Sequence, residues 1–335
     1  MTKSRPVRNS DGEPPLTQYA IPTIDFAPFL TGTDNDRRRV VAALGEAAET
    51  YGFMTLVGHG IPEPVIADAF KAAETFFDLP LADKLAIQER RTNRGYQPMF
   101  DNVRPGEKPS SAEAFSMGHP VPPSDPALLG LPFYAATPWP DLPDFRPRAE
   151  ACYRAMFALA QSVLRAFALH LGVAPDFFDQ LSRNTYSNMR LIHYPPQEKV
   201  AHITDVGVRP HEDQGLITLL IQDMNGGLAV RGPDGAWLPV VPSPNAVVLN
   251  VAKLLTRWTN GRYRSALHRV INTSGRERYS MPLFVHPDFH QVIDPRDLVG
   301  GEPDPRYAPI VAGEQVYANF SRQRASWQAA EQPPA

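Results

Sequence analysis

The sequence predicts a mainly β protein with flanking helices, in which a sandwich or jelly roll forms the core. From Asn188 onward, short apolar runs of strand length recur between polar, glycine-containing turns, the pattern of many short antiparallel strands. Upstream of that point, apolar side chains recur at helical spacing in three stretches. A chain of 335 residues with 43% hydrophobic side chains can also build one large core without needing a second domain.

Residues 1–20 carry Pro6, Pro14 and Pro15 among charges and lack the apolar run of a signal peptide, so a flexible arm is expected. Residues 21–26 read as a short strand. Along residues 36–50, Val40, Val41, Leu44, Ala47 and Ala48 share one face and Arg37, Arg38, Glu46 and Glu49 take the other, which predicts an amphipathic helix. An apolar strand over residues 52–57 closes at Gly58-His59-Gly60-Ile61-Pro62, where His59 either braces the turn or serves a metal. A second helix over residues 63–77 starts with Pro64, where a missing N–H costs nothing, and buries Phe70, Ala73, Phe76 and Phe77.

Twelve prolines between positions 98 and 147 interrupt every period, so that region is expected to be mostly irregular, either a lid or a static cover. The longest helix is expected over residues 147–171, with Met156, Ala160, Val163, Leu164, Phe167 and Leu171 as its stripe. His170 lies near its C-terminal end, where the dipole favours a cation. Strands follow at 189–194, 216–222, 228–230, 237–238, 246–251, 266–271 and 279–285, with Gly232-Pro233-Asp234-Gly235 as a hairpin turn. The expected organisation is an arm at 1–20, a helix and strand region at 21–182 bracing the barrel, a core at 183–290 and a helical segment at 291–335.

The formal net charge is −3, from 33 basic and 36 acidic residues without long like-charge blocks, which argues against nucleic acid or a membrane surface as partner. Cys152 is the only cysteine, so no intramolecular disulfide or cysteine-rich zinc site can form, and a reducing cytoplasm is the expected compartment. No apolar span reaches the ~18 residues that a transmembrane helix needs.

Two stretches carry the chemistry. If Arg209-Pro210-His211-Glu212-Asp213 is a strand, His211 and Asp213 share a face while Glu212 points to the other. His268, in Ser265-Ala266-Leu267-His268-Arg269-Val270, would complete a set of two imidazoles and one carboxylate. Three such ligands leave coordination positions open, which suits non-haem Fe(II) and oxygen chemistry. They also suit catalytic zinc. Further on, the same two-residue repeat puts Arg278 and Ser280 on one face, and a guanidinium fork beside a hydroxyl is a carboxylate receptor. Each piece alone also has an ordinary structural role open to it; their order and spacing set them apart.

In the first half stand Ile21-Pro22-Thr23-Ile24-Asp25, Tyr51-Gly52-Phe53, Gly58-His59-Gly60-Ile61-Pro62, Phe76-Phe77-Asp78-Leu79-Pro80 and Lys84. In the second stand Tyr194-Pro195, His211-x-Asp213, Gln222-Asp223, Gly227-Leu228, Trp237, Asn250, Thr259-Asn260-Gly261, the stretch around His268, and Glu277-Arg278-Tyr279-Ser280. In this order the motifs, spread over residues 21–287, resemble the isopenicillin N synthase-like family of Fe(II)/2-oxoglutarate dioxygenases. The resemblance implies a double-stranded β-helix (jelly roll) core with an N-terminal α/β elaboration. It further implies Fe(II) on His211, Asp213 and His268, and 2-oxoglutarate as cosubstrate with its far carboxylate on Arg278 and Ser280. Tyr194 would face that cavity, and O2 would be the co-reactant. A small-molecule substrate would be hydroxylated, or desaturated or cyclised, as succinate and CO2 form, by a chain expected to be a monomer.

Arg94, Tyr96 and Phe115 resemble family positions near the pocket. Alternation along the strand at 189–194 should turn Arg190 and Ile192 inward with Tyr194. Arg190 would then either pair with a buried carboxylate of the protein or hold an anionic group of the substrate, making the substrate a carboxylated or amino-acid-derived metabolite. The chain departs from the family at Asn250-Val251-Ala252-Lys253, where Gly-Asp more often follows, which bears on local geometry and pocket shape. Two alternatives from other classes are a zinc hydrolase on the same three ligands and a catalytically silent jelly-roll binding protein.

Overall fold

Two β-sheets pack face to face, and helices cover the outer side of the larger one. The computed structural model describes residues 20–89, 92, 94–99, 110–120, 122–196, 207–272, 274–298 and 304–331. The arm expected over residues 1–20 lies outside them apart from Ala20.

The chain begins with β1 (Thr23–Asp25), α1 (Ala27–Thr31), α2 (Asp34–Thr50), β2 (Phe53–Val57), α3 (Glu63–Phe77) and α4 (Leu81–Leu85). Thr33 and Asp36 start α2 as a capping box, each side chain accepting from the other's backbone N–H. The helix buries Val40, Leu44, Ala47 and Ala48, as their spacing predicts. In the turn after β2, His59 Nδ1 accepts from the Ile61 N–H and Nε2 donates to the Asn245 carbonyl, each at 3.1 Å, so this histidine is a brace.

Next come β3 (Gln88–Glu89), β4 (Arg94–Gln97), β5 (Glu113–Gly118) and α5 (Phe145–Leu171). β5 departs from the irregular stretch expected over residues 98–147: all six of its residues are buried. It pairs with β4 on one side and with β6 (Asn188–Tyr194) on the other, so tertiary pairing orders a segment whose local pattern is broken by prolines. α5 ends at Gly172 in the left-handed region, φ 75°. His170 Nδ1 lies 2.8 Å from the Tyr263 hydroxyl, which ties this helix to the core.

The strand series continues with β7 (Val208–His211), β8 (Ile217–Gln222), β9 (Leu228–Arg231), β10 (Trp237–Pro239), β11 (Val247–Val251), β12 (His268–Val270) and β13 (Arg278–Val285). A short helix, α6 (Lys253–Trp258), follows β11. The segment expected to be helical after residue 290 carries a small pair, β14 (Val292–Ile293) with β15 (Ile310–Val311), before α7 (Ala312–Glu331). The larger sheet runs β1-β2-β11-β8-β13-β6-β5-β4-β3 and the smaller β10-β9-β12-β7. β9 and β10 form the expected hairpin.

Phe53, Ile192, Tyr194, Leu228, Val230 and Val248 fill the space between the sheets. On the outer side of the larger sheet, Phe115 and Leu191 join Phe76, Phe145, Met156 and Phe167 of the helices. Two facing, largely antiparallel sheets with a helical cover make the jelly roll that the strand series predicts. Among the described residues no helix is long and apolar enough to cross a membrane.

Candidate active site

β7 and β12 pair in a register that sets His211 directly opposite His268. Their ring centroids are 4.2 Å apart. Asp213 reaches between them, its carboxylate 3.5 Å from His211 Nε2 and 3.7 Å from His268 Nε2. One donor atom from each of the three lies within 4.8 Å of the others. β7 ends at His211, so Asp213 sits in the turn beyond it and not in the expected strand, yet the turn returns it to the same side. Glu212 goes the other way and pairs with Lys253 Nζ at 3.1 Å.

Hydrogen bonds fix each candidate ligand. His211 Nδ1 is 2.8 Å from the Arg209 carbonyl and His268 Nδ1 is 3.0 Å from the Ala266 carbonyl. A carbonyl only accepts, so both protons sit on Nδ1 and both Nε2 lone pairs face Asp213. Asp213 Oδ2 accepts from Thr218 Oγ1 at 2.7 Å and from Asn250 Nδ2 at 2.8 Å. Burial opposes ionisation of Asp213, but positive charge at the His268 and His211 rings, whose place a metal cation would take, and the Asn250 amide outweigh it and hold its pKa well below the carboxylate range. Two imidazole nitrogens and one ionised carboxylate, gathered on one side, fit a divalent metal with open positions. Thr218 had no signal in the sequence, being one polar residue in an apolar strand, and Asn250 showed only as a landmark.

Arg278 is fully buried on β13, opposite Tyr194 on β6. Its Nε donates to the Gly226 carbonyl at 2.5 Å and its Nη2 to Gln222 Oε1 at 3.1 Å, while the guanidinium lies 4.6 Å from the Tyr194 ring centroid. Nη1 has no partner, and among the described residues no carboxylate faces this cation. Ser280 Oγ is 3.5 Å from the Tyr194 hydroxyl on the same face. The Gly226 carbonyl is presented by a turn that needs glycine: Gly227 has φ 92°, and a Cβ there would fall 2.5 Å from the Ile271 carbonyl. A buried guanidinium with an open donor beside a hydroxyl can take a carboxylate from a small molecule.

Arg190 and Ile192 share that inner face. Ile192 stands opposite Ser280 and packs in the cluster between the sheets. Arg190 Nη2 donates to Gln97 Oε1 at 2.5 Å; its Nε is buried without a partner, and no carboxylate among the described residues pairs with it. Arg94, Tyr96 and Phe115 are not brought to this face. Tyr96, Phe115 and Leu191 form one cross-strand row whose parity is opposite to that of Arg190 and Ile192. Phe115 packs on Phe76 and Phe145, Tyr96 donates to Glu113, and Arg94 Nη2 donates to the Phe133 carbonyl, all on the helix side of the sheet.

The family described as 2OG-Fe(II) oxygenase superfamily matches residues 178–287, and the family described as non-haem dioxygenase in morphine synthesis N-terminal matches residues 21–142. The 2-oxoglutarate-Fe(II) type oxidoreductase hxnY of Emericella nidulans is 37% identical over 320 residues, 92% of this chain and 91% of its own length. Homoarginine-6-hydroxylase 2-ODD-233 of Oryza sativa subsp. japonica is 32% identical over 326 residues, 90% of this chain and 98% of that one. The crystal structure of a full-length Neurospora crassa protein in complex with alpha-KG and thymine superposes with a TM-score of 0.80 at 28% identity, covering 95% of this chain and 99% of that one. Similarity over nearly the whole length to proteins of one kind, around a donor set suited to their metal, establishes that the chain belongs to the 2OG-Fe(II) oxygenase superfamily and works with Fe(II) and 2-oxoglutarate.

Proposed function

We propose that His211, Asp213 and His268 hold the iron, that Arg278 and Ser280 beside Tyr194 hold the far carboxylate of 2-oxoglutarate, and that the chain hydroxylates a small anionic molecule whose charge meets Arg190. Bound together, Fe(II), 2-oxoglutarate and dioxygen supply a two-electron oxidation of a C–H bond, one oxygen atom passing to the substrate and the other to succinate as CO2 leaves. The residues of the chain position these reactants. Thr218 and Asn250 occupy one oxygen of Asp213 and leave the other for the metal. The carbonyls of Arg209 and Ala266 keep both imidazoles in the tautomer that ligates through Nε2. Gly226 and Gln222 aim the Arg278 fork, and the Tyr194 ring covers it.

The observation that carries the anionic substrate is the state of Arg190, half-buried on the inner face with its Nε shut away from solvent, one neutral partner, Gln97, and no carboxylate among the described residues. A structural ion pair, the other role open to it, has no partner there. A guanidinium partly withdrawn from water without a counter-charge is unfavourable, and an acidic guest offsets that cost. A hydroxylase of homoarginine among the relatives supports both hydroxylation and an amino-acid-derived substrate. A zinc hydrolase would have no use for Arg278, and a silent binding module none for the three ligands.

Arg190→Met tests the assignment, because it keeps apolar length and removes the charge and the donor fork. The variant should bind Fe(II) and 2-oxoglutarate and consume 2-oxoglutarate slowly, without coupled oxidation of the acids that wild type accepts. Oxidation of those acids at the wild-type rate would remove Arg190 from the site.

A further inference from the structure

A cavity of about 500 Å³ lies beside the metal cluster and is lined by none of its three ligands. Lys253, Arg257, Arg264 and Arg306 face it against a single carboxylate, Glu212. Glu212 pairs with Lys253, which leaves three guanidinium groups with no carboxylate in the lining. Two of them bond neutral groups: Arg257 Nε donates to the Ala308 carbonyl at 3.1 Å and Arg264 Nη1 to the Thr50 carbonyl at 2.6 Å. The guanidinium carbons of Arg257 and Arg306 both stand 5.2 Å from the centroid of the Tyr307 ring. Glu49, an acid outside the lining, is engaged by Arg262 at 2.6 Å.

Like charges gathered at one ring repel unless an anion lies between them. The wall also contains two hydroxyls, Thr256 Oγ1 and Ser265 Oγ, that are buried and have no hydrogen-bond partner. Buried hydroxyls without partners are uncommon, and here they sit with arginine forks, the donors that recognise phosphate and carboxylate oxygens. The volume falls within the roughly 300–1,000 Å³ typical of small-molecule sites.

We infer that this cavity is a second binding site, separate from the iron and the cosubstrate, for a small polyanion carrying two or more phosphate or carboxylate groups. Calorimetric titration of the full-length chain with pyrophosphate and, separately, citrate tests this. The chain is first freed of metal so that neither probe can strip iron. Saturable one-to-one binding of at least one probe is expected, and the two arms distinguish a phosphate from a carboxylate ligand. Binding should persist in Arg278→Leu, which disables the cosubstrate receptor. It should weaken about tenfold or more in Arg306→Gln, through loss of charge-assisted bonds, and further in Arg257→Gln/Arg306→Gln. Arg306 is exposed, so its replacement should leave the unfolding midpoint unchanged. No saturable binding of either probe at millimolar concentration, equal affinity in Arg306→Gln, or loss of binding in Arg278→Leu would each overturn the inference.

Discussion

Asp213 and Glu212 show how one peptide unit separates a candidate ligand from a neighbour of the same chemistry. Asp213 is 5% exposed and its Oδ2 takes two donors, whereas Glu212 points out to Lys253. Alternation along the chain anticipates their opposite directions, even though β7 stops short of Asp213. What the sequence could not display was the support behind Asp213, because Thr218 and Asn250 reach it from strands that pair only in the folded sheet. On the proposed assignment, Asn250→Leu and Thr218→Val each release one bond to Oδ2 and should weaken iron binding by about 10–100-fold. Anaerobic Fe(II) titration reads this directly. Glu212→Gln should keep wild-type affinity and His211→Ala should lose the metal altogether; wild-type affinity in Asn250→Leu would show that the amide does not support the ligand.

At the scale of elements, the pair β6 and β13 presents different chemistry on its two sides. Tyr194 and Arg278 face inward in one register, and the next register puts His193 opposite Tyr279 on the outer side. There His193 Nδ1 lies 2.8 Å from Glu113 and its Nε2 bonds Glu277, while Lys84 and Tyr96 also donate to Glu113. This parity also explains which inward-facing residues were legible. Arg190 and Ile192 follow from Tyr194 by counting in twos, but Tyr96 and Phe115 lie on strands whose register to β6 cannot be counted from the sequence. Burial alone would lower the His193 pKa, yet its bonds to Glu113 and Glu277 raise it above the ordinary 6.5. A group whose folded pKa is raised contributes its full stability below the unfolded value and loses it as pH rises through the folded one. Wild type should therefore lose stability as pH climbs above 6.5, and His193→Gln should lack that part of the decline. Urea midpoints measured from acid to alkaline pH decide this, since parallel curves for the two proteins would remove His193 as the titrating group.

Over the whole molecule, the strand series and the three helical stretches could be read because each is a local period, and they recur as β6 to β13, α2, α3 and α5. β5 and the small pair β14 and β15 could not, because their order comes from partners far along the chain. The candidate site is non-local in the same way. His211 and His268 belong to the smaller sheet, Arg278, Ser280 and Tyr194 to the larger, and the turn bearing Asp213 joins the two. On the proposed assignment the two ends of 2-oxoglutarate are held by different sheets, so only the assembled sandwich can bind it and binding must oppose global unfolding. A ligand present at about a hundred times its Kd and bound only by the folded chain stabilises by about 2.7 kcal/mol. For a chain of this size that is roughly 4 °C in Tm. Anaerobic melting should show one upward step with Fe(II) and a second on adding 2-oxoglutarate. In Arg278→Leu the iron step should survive and the cosubstrate step should shrink, because a charge-assisted bidentate contact of about 1.5–3 kcal/mol is gone. In His268→Ala both steps should vanish, since the cosubstrate then has no metal to join. A full 2-oxoglutarate step in Arg278→Leu, measured across a range of concentrations, would show that the far carboxylate is held elsewhere and that the larger sheet takes no part in binding it.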